Sequence, residues 1–165
     1  MKETKIMQEG KIKKTITDFL VDIPLFDKLN PEELKIIAKQ TNLFEFKKGE
    51  NVFAEGDQGN YVCFVVDGIL DVIKESMTGD SVVITALSRG RSIGEMSVID
   101  NFPRSATVKA RTDATLLILT RKSFDLILEE HSEVGIKILK GLSRLLSLNL
   151  RKTSGRLADY MLPVS

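Results

Sequence analysis

Ser92-Ile93-Gly94-Glu95-Met96-Ser97-Val98-Ile99-Asp100-Asn101-Phe102-Pro103-Arg104-Ser105-Ala106-Thr107-Val108 is the stretch around which the rest of the chain is organised. It reads as the end of a strand, a tight glycine, one short helical turn, a proline-bearing loop and a new strand. One carboxylate, Glu95, and one guanidinium, Arg104, stand among small residues whose amides can approach a ligand closely. A guanidinium offers a planar fork of donors suited to a phosphate diester. A carboxylate accepts from a sugar hydroxyl. The amides of Met96 and Ser97 fall at the start of the turn, where N–H groups without intrahelical acceptors attract anions. The stretch predicts a pocket for a ligand anionic at one end and polyhydroxylic beside it, such as a nucleotide. The bland alternative is a surface Glu–Arg pair bracing a loop, worth little energetically.

Outward from this stretch the periodicity is that of short strands. Before it, Leu43–Phe46 turns at Lys48-Gly49-Glu50 into Asn51–Ala54, and Tyr61–Val66 follows. Asp67-Gly68 is a hairpin signal leading into Ile69–Ile73, and Thr78-Gly79-Asp80 turns into Ser81–Leu87. After it come Thr107–Ala110 and Thr115–Leu119. Glycines 49, 56, 59, 68 and 90 read as turn residues. About eight short strands separated by turns fit a double-sheet jelly roll.

The flanks read as helix. A short amphipathic helix is expected from about Lys11, carrying Ile12, Ile16, Phe19 and Leu20, and Pro24 ends it. Asn30 caps a second helix with Pro31 at its first position and Glu32 and Glu33 in its first turn. Leu34, Ile37 and Ala38 give that helix one apolar face. Helix resumes from Arg121 to His131 and again from about Ser132. In the last helix Leu139, Leu142, Leu146, Leu150, Leu157 and Met161 recur mostly at steps of three and four, with Ile136, Ile138, Leu145 and Leu148 off that line. A helix apolar on more than one face needs more than one partner. The barrel is expected to bury one face and a second copy of the chain, in a homodimer, another. Gly155 is expected to break or kink the helix. Its cations Lys137, Lys140, Arg144, Arg151, Lys152 and Arg156 have no acid among them between Glu133 and Asp159. They suit an acidic partner or nucleic acid on one reading, and a solvated face favoured by the helix dipole on the other. The expected fold class is α+β, mainly β: an eight-stranded double-sheet jelly roll flanked by N-terminal helices and two C-terminal helices.

Bulk properties set limits on function. A chain of 165 residues suits one domain with a helical appendage, and 42% hydrophobic residues suffice for a core. A formal net charge of +1 argues against binding nucleic acid by gross electrostatics. The one cysteine, Cys63, excludes an internal disulfide framework and suits a reducing cytoplasm. Inside the apolar run Tyr61–Val66 it reads as a buried bystander. One cysteine and one histidine, His131, far apart, do not make a transition-metal site, so no metal is expected. No run approaches the roughly 20 apolar residues that span a bilayer. The charged N-terminus lacks the apolar core of a secretion signal. A cytoplasmic protein without a membrane partner is expected.

Gly94-Glu95-Met96-Ser97, followed nine positions after the glutamate by Arg104-Ser105-Ala106-Thr107-Val108, resembles the phosphate-binding cassette of cyclic nucleotide-binding domains. Such domains occur in catabolite-activator-type regulators, kinase regulatory subunits and cyclic-nucleotide-gated channels. The resemblance covers roughly residues 20–150. It implies that Glu95 accepts from the ribose 2′-hydroxyl and that Arg104 pairs with the cyclic phosphate. It implies that amides of Ser97 and Ser105 complete the cradle, with Gly94, Met96 and Ala106 in the same cassette. In the resembled family a residue of the C-terminal helix contacts the purine, and here Asn149 is the candidate. Its amide can donate and accept, as the adenine N6 and N1 edge requires. Two other readings of Asn149 stay open: it faces water, or it sets register in a paired helix. A hydroxyl after the arginine, as in Ser105, is found in cAMP binders and resembles the threonine of several cGMP binders. The implied ligand is cAMP or cGMP, with cAMP preferred.

Functions of other classes fare worse. A cupin-like enzyme on this scaffold needs several histidines around a metal. Hydrolysis of a cyclic phosphate needs a metal cluster or a positioned base, and the sequence offers neither. The expectation is a regulatory binding module and not an enzyme. The alternative is a degenerate domain serving as a protein–protein interaction or dimerisation platform, against which both Glu95 and Arg104 count. Catabolite-activator-type regulators continue into a helix-turn-helix, whereas few residues follow Tyr160, so no DNA-binding domain is expected in this chain. The expected organisation is a helical preface at 1–40, a barrel at 41–120 with its cassette at 92–108, and helices at 121–165. Those last helices are expected to act as lid, dimer contact and output to an unidentified protein effector.

Overall fold

The computed structural model describes residues 2–3 and 16–161. Strand β1 (Lys2–Glu3) is an added edge, and residues 16–21 form α1. The expected helix start near Lys11 lies outside the described residues. A 3-10 turn at Pro24–Phe26 follows where Pro24 was expected to end the helix, and then α2 (Pro31–Lys39). The expected cap is present and closes into a capping box: Glu33 N–H donates to Asn30 Oδ1 at 3.0 Å, and Asn30 N–H donates to Glu33 Oε2 at 2.9 Å.

Eight strands make the jelly roll: β2 (Thr41–Phe46), β3 (Asn51–Phe53), β4 (Tyr61–Asp67), β5 (Leu70–Glu75), β6 (Ser81–Leu87), β7 (Ser92–Ile93), β8 (Thr107–Ala110) and β9 (Ala114–Thr120). They form two antiparallel sheets, β1-β2-β9-β4-β7 and β3-β8-β5-β6. A short helix, α3 (Glu95–Asp100), sits between β7 and β8. After β9 come α4 (Arg121–Glu130), capped by Thr120 Oγ1, and α5 (Ser132–Tyr160).

Side chains alternate across a strand, so β4 and β9 feed two cores at once. Cys63, Val65, Leu116 and Ile118 point between the sheets, among Phe44, Phe46, Leu70, Val72 and Val108. Val62, Phe64, Leu117 and Leu119 point the other way and pack under the helices with Leu20, Ile23, Phe26, Ile37, Phe124, Ile127 and Ile138. That is why both strands read as continuous apolar runs. Phe26 and Phe64 meet with ring centroids 5.3 Å apart and fix the 3-10 turn to the sheet.

α5 departs from expectation in two ways. It continues unbroken through Gly155, because one glycine costs only about 1 kcal/mol in a helix interior and does not stop a helix already propagating. Its buried residues are Val134, Gly135, Ile138, Gly141 and Leu142, whereas Leu157 and Met161 are 60% and 65% exposed. Only the first half of the helix therefore docks. Gly135 and Gly141 lie where a Cβ would collide with Leu128 and with Leu25, so the helix can settle closely onto α4 and the 3-10 turn. Lys137 donates to Glu33 Oε1 at 2.6 Å, and Arg144 to Asp27 at 3.1 Å, pinning that half. Lys137 also holds the Glu33 carboxyl below its usual range. Among the described residues no helix is long and apolar enough to cross a membrane.

Candidate functional site

Gly94 joins β7 to α3 at φ +87°, and a Cβ there would strike the Arg104 guanidinium. Only glycine meets both demands. Asn101 ends α3 in the left-handed conformation at φ 62°. Its carbonyl and side-chain oxygens accept from Gln58 Nε2 at 3.2 and 3.1 Å. The loop at 54–60 thus clamps the stretch from outside. Gly56 N–H donates to the Arg104 carbonyl at 2.8 Å, and Arg104 N–H donates to the Asp57 carbonyl at 2.8 Å. Gly59 lies directly under Ser97, where a Cβ would overlap that side chain and approach Arg104 Nε to 3.1 Å. Gly59 is therefore a close-contact glycine, not the turn residue expected.

Arg104 is 3% exposed, so it is not a surface arginine bracing a loop. Its Nη1 donates to the Gly94 carbonyl at 3.1 Å and its Nη2 to the Tyr61 carbonyl at 2.8 Å. The guanidinium carbon lies 4.0 Å from the Phe53 ring centroid and 4.5 Å from that of Tyr61. A weakly hydrated planar cation suits this place between two rings. Among the described residues its Nε has no partner. Glu95 is buried too, at 6% exposure, and among the described residues its Oε2 is unpartnered. Burial raises its carboxyl above the usual range, opposed by its own backbone N–H and by Arg104 and Arg91. Two buried polar groups with spare hydrogen-bonding capacity on one wall are what a polar ligand would complete.

Gly94, Glu95, Met96, Ser97, Arg104 and Ser105 all line one recess of about 410 Å3. Ala106 lies behind it, buried in the core between the sheets. A second cleft of about 610 Å3 adjoins the recess, sharing Ile93 and Glu95 with it. Val72, Val82 and Ile84 make one apolar side, and Leu145 and Asn149 of α5 face them. Asn149 thus lines the same cleft as Glu95, on an exposed stretch of helix. Lys152 and Arg156 also line this cleft, while Lys137 and Arg144 are paired with acids, so the basic run does not form a single face. The Cys63 thiol is pushed up to about 12 by burial and is chemically quiet.

Phe53, Tyr61, Gln58 and Gly59 escaped the sequence reading, because each acts on the cassette across a long sequence separation. The one local signal was the pair Gly56 and Gly59 around Asp57-Gln58, more glycine than one turn needs.

The profile of the cyclic nucleotide-binding domain family matches residues 43–131, more than half of the chain. The chain belongs to this family. A cAMP-dependent protein kinase regulatory subunit of Mycosarcoma maydis is 38% identical over 105 residues, 62% of this chain and 20% of that protein. A CRP-like cAMP-activated global transcriptional regulator of Mycobacterium tuberculosis is 24% identical over 144 residues, 87% of this chain and 62% of that protein. The chain thus spans less than two thirds of the length of either relative. Among solved structures, a cyclic nucleotide-binding domain from Methylobacillus flagellatus superposes with a TM-score of 0.82 at 27% identity, covering 93% of this chain and 86% of that one.

Proposed function

We propose that this cyclic nucleotide-binding domain is a sensor that binds cAMP in preference to cGMP, performs no chemistry on it, and passes occupancy on through α4 and α5. The observation that carries the reading is the pairing of buried Arg104 and buried Glu95 on one recess, each with an unpartnered polar atom. The cyclic phosphate is assigned to Arg104 and the amides of Ser97 and Ser105, and the ribose 2′-hydroxyl to Glu95. The purine is assigned to the adjoining cleft, where Asn149 meets the adenine edge. A ligand touching both recess and α5 favours whichever helix position allows both contacts.

A second copy of the chain is the proposed partner of the outer face of α5. Leu146, Leu150 and Leu157 lie on a seam of alternating three- and four-residue steps, filled in by Thr153. The seam begins beyond Leu139, which is itself packed against the helical core. Leu150 is 69% exposed and Leu157 60%.

Isothermal titration with cAMP and cGMP tests the reading, with one site per chain and tighter cAMP binding expected. Hydrogen exchange should slow in the cassette and over residues 132–150 on adding cAMP. Absence of binding by either nucleotide refutes the sensor, and protection confined to the cassette refutes the coupling to α5.

A further inference from the structure

Lys74 is the penultimate residue of β5, just past its ladder with β8, whose last pair is Ile73 with Thr107. Further along, before Ala106, the carbonyls of Arg104 and Ser105 lie beyond the regular pairing. Arg104's carbonyl is taken by Gly56 N–H at 2.8 Å. Ser105's is taken by the Lys74 ammonium at 2.7 Å, so a side chain replaces the missing ladder bond. Lys74 is itself held by an ion pair to Glu55. Glu55 is tied to the same region twice, its N–H donating to Thr107 Oγ1 at 2.9 Å and its carboxylate accepting from Glu75 N–H at 3.5 Å.

In a trans peptide the C=O and N–H point in opposite directions. Holding the Arg104 carbonyl therefore aims Ser105 N–H the other way, and holding the Ser105 carbonyl does the same for Ala106 N–H. Neither amide has a protein acceptor among the described residues. We propose that the Glu55–Lys74 pair is a positioning latch that fixes the Ser105–Ala106 peptide, and so aims Ala106 N–H at the ligand as a donor additional to the Ser97 and Ser105 amides, although the Ala106 side chain lies behind the recess. This rests on the reading of the recess as a phosphate site. Lys74 never touches the ligand and acts only through the backbone. Its side chain is 47% exposed, so the latch is reachable from solvent.

The test uses the full chain in isothermal titrations with cAMP and its two phosphorothioate diastereomers, each replacing one exocyclic phosphate oxygen by sulfur, a poor acceptor. Lys74→Met should weaken cAMP by about two- to tenfold, the worth of one hydrogen bond. The loss should shrink for the diastereomer whose sulfur already faces the amide and persist for the other. Lys74→Arg, which keeps a cationic donor, should restore most of the affinity, and Glu55→Gln should fall between parent and Lys74→Met. A merely structural lysine would weaken all three ligands alike. Equal losses for all three, or parent-like cAMP binding by Lys74→Met, would overturn the latch. Failure of the parent to bind any of the three would instead overturn the phosphate site, and the latch with it.

Discussion

On the proposed reading Arg104 does two jobs, and replacing it by alanine and by lysine separates them. In the described state its guanidinium donates to two carbonyls, those of Gly94 and Tyr61, and lies between two rings. Alanine orphans both carbonyls, at about 1–3 kcal/mol each, and forfeits a desolvated cation–π contact worth about 2 kcal/mol. Against a total stability of roughly 5–15 kcal/mol this is a large fraction, so lost binding in Arg104→Ala would be confounded with lost fold. Lysine keeps the charge and most of the stem. Its single ammonium cannot serve both carbonyls and a bidentate phosphate, so it should lose about 1.5–3 kcal/mol of binding, or roughly 10- to 150-fold in Kd. Differential scanning fluorimetry should place the Tm of Arg104→Lys between those of parent and alanine variant, and titration well below that Tm then reads binding alone. A folded Arg104→Lys that bound cAMP as tightly as the parent would show that the guanidinium serves only the barrel wall.

Three further outcomes are expected. Gly59→Ala overpacks the contact with Ser97 and Arg104, so it should cost about 1–3 kcal/mol of stability and weaken cAMP more than Gly49→Ala, whose added methyl meets nothing within 4 Å. Burial raises the Glu95 carboxyl above its ordinary 4.5, so the folded state keeps that proton to higher pH than the unfolded chain does. The resulting stability is present below 4.5 and is lost as pH rises through the raised value; Glu95→Gln should flatten the Tm–pH curve in that window and melt higher than the parent at pH 7, and a curve that tracks the parent's would contradict this. Leu150→Asp with Leu157→Asp should convert a dimer to a monomer in light scattering, and a parent that is already monomeric would remove the proposed seam.

The build of the stretch 92–108, strand end, glycine, short helix and new strand, was legible in the sequence because it is local. Glycine, carboxylate, helical turn and arginine fall within one short stretch, and the strands around it are punctuated by turn residues. The burial of Arg104 was not legible, because Phe53, Tyr61 and the Gly56–Gly59 loop reach it only once β3 and β4 flank the recess. Gly155 misled because helix propensity is a weak prior when a long helix already runs through it. The leucines of α5 misled for a different reason: residues at steps of three and four share a face, but nothing in the pattern says whether that face meets the barrel, a second chain or water.

The two faces of α5 carry the remaining step. Leu145, Asn149, Lys152 and Arg156 line the cleft, while Leu146, Leu150, Thr153 and Leu157 lie one residue further along each time, about 100° round the helix. Past the pinned segment ending near Arg144, the described helix has few buried contacts, with Leu145 and Leu146 only half-buried. A purine in the cleft would supply one set of missing contacts and a second copy the other. Each would then bias the same rigid rod, so occupancy of the cleft and pairing of the helices must be linked, and linked reciprocally. On this reading cAMP tightens dimerisation by the same factor by which dimerisation tightens cAMP. Titrating cAMP at protein concentrations above and below the dimer Kd measures one side of that equality, and the dimer Kd with and without saturating cAMP measures the other. Affinities that do not change with protein concentration would leave a sensor whose output is carried by α4 or by a partner protein, not by the seam of α5.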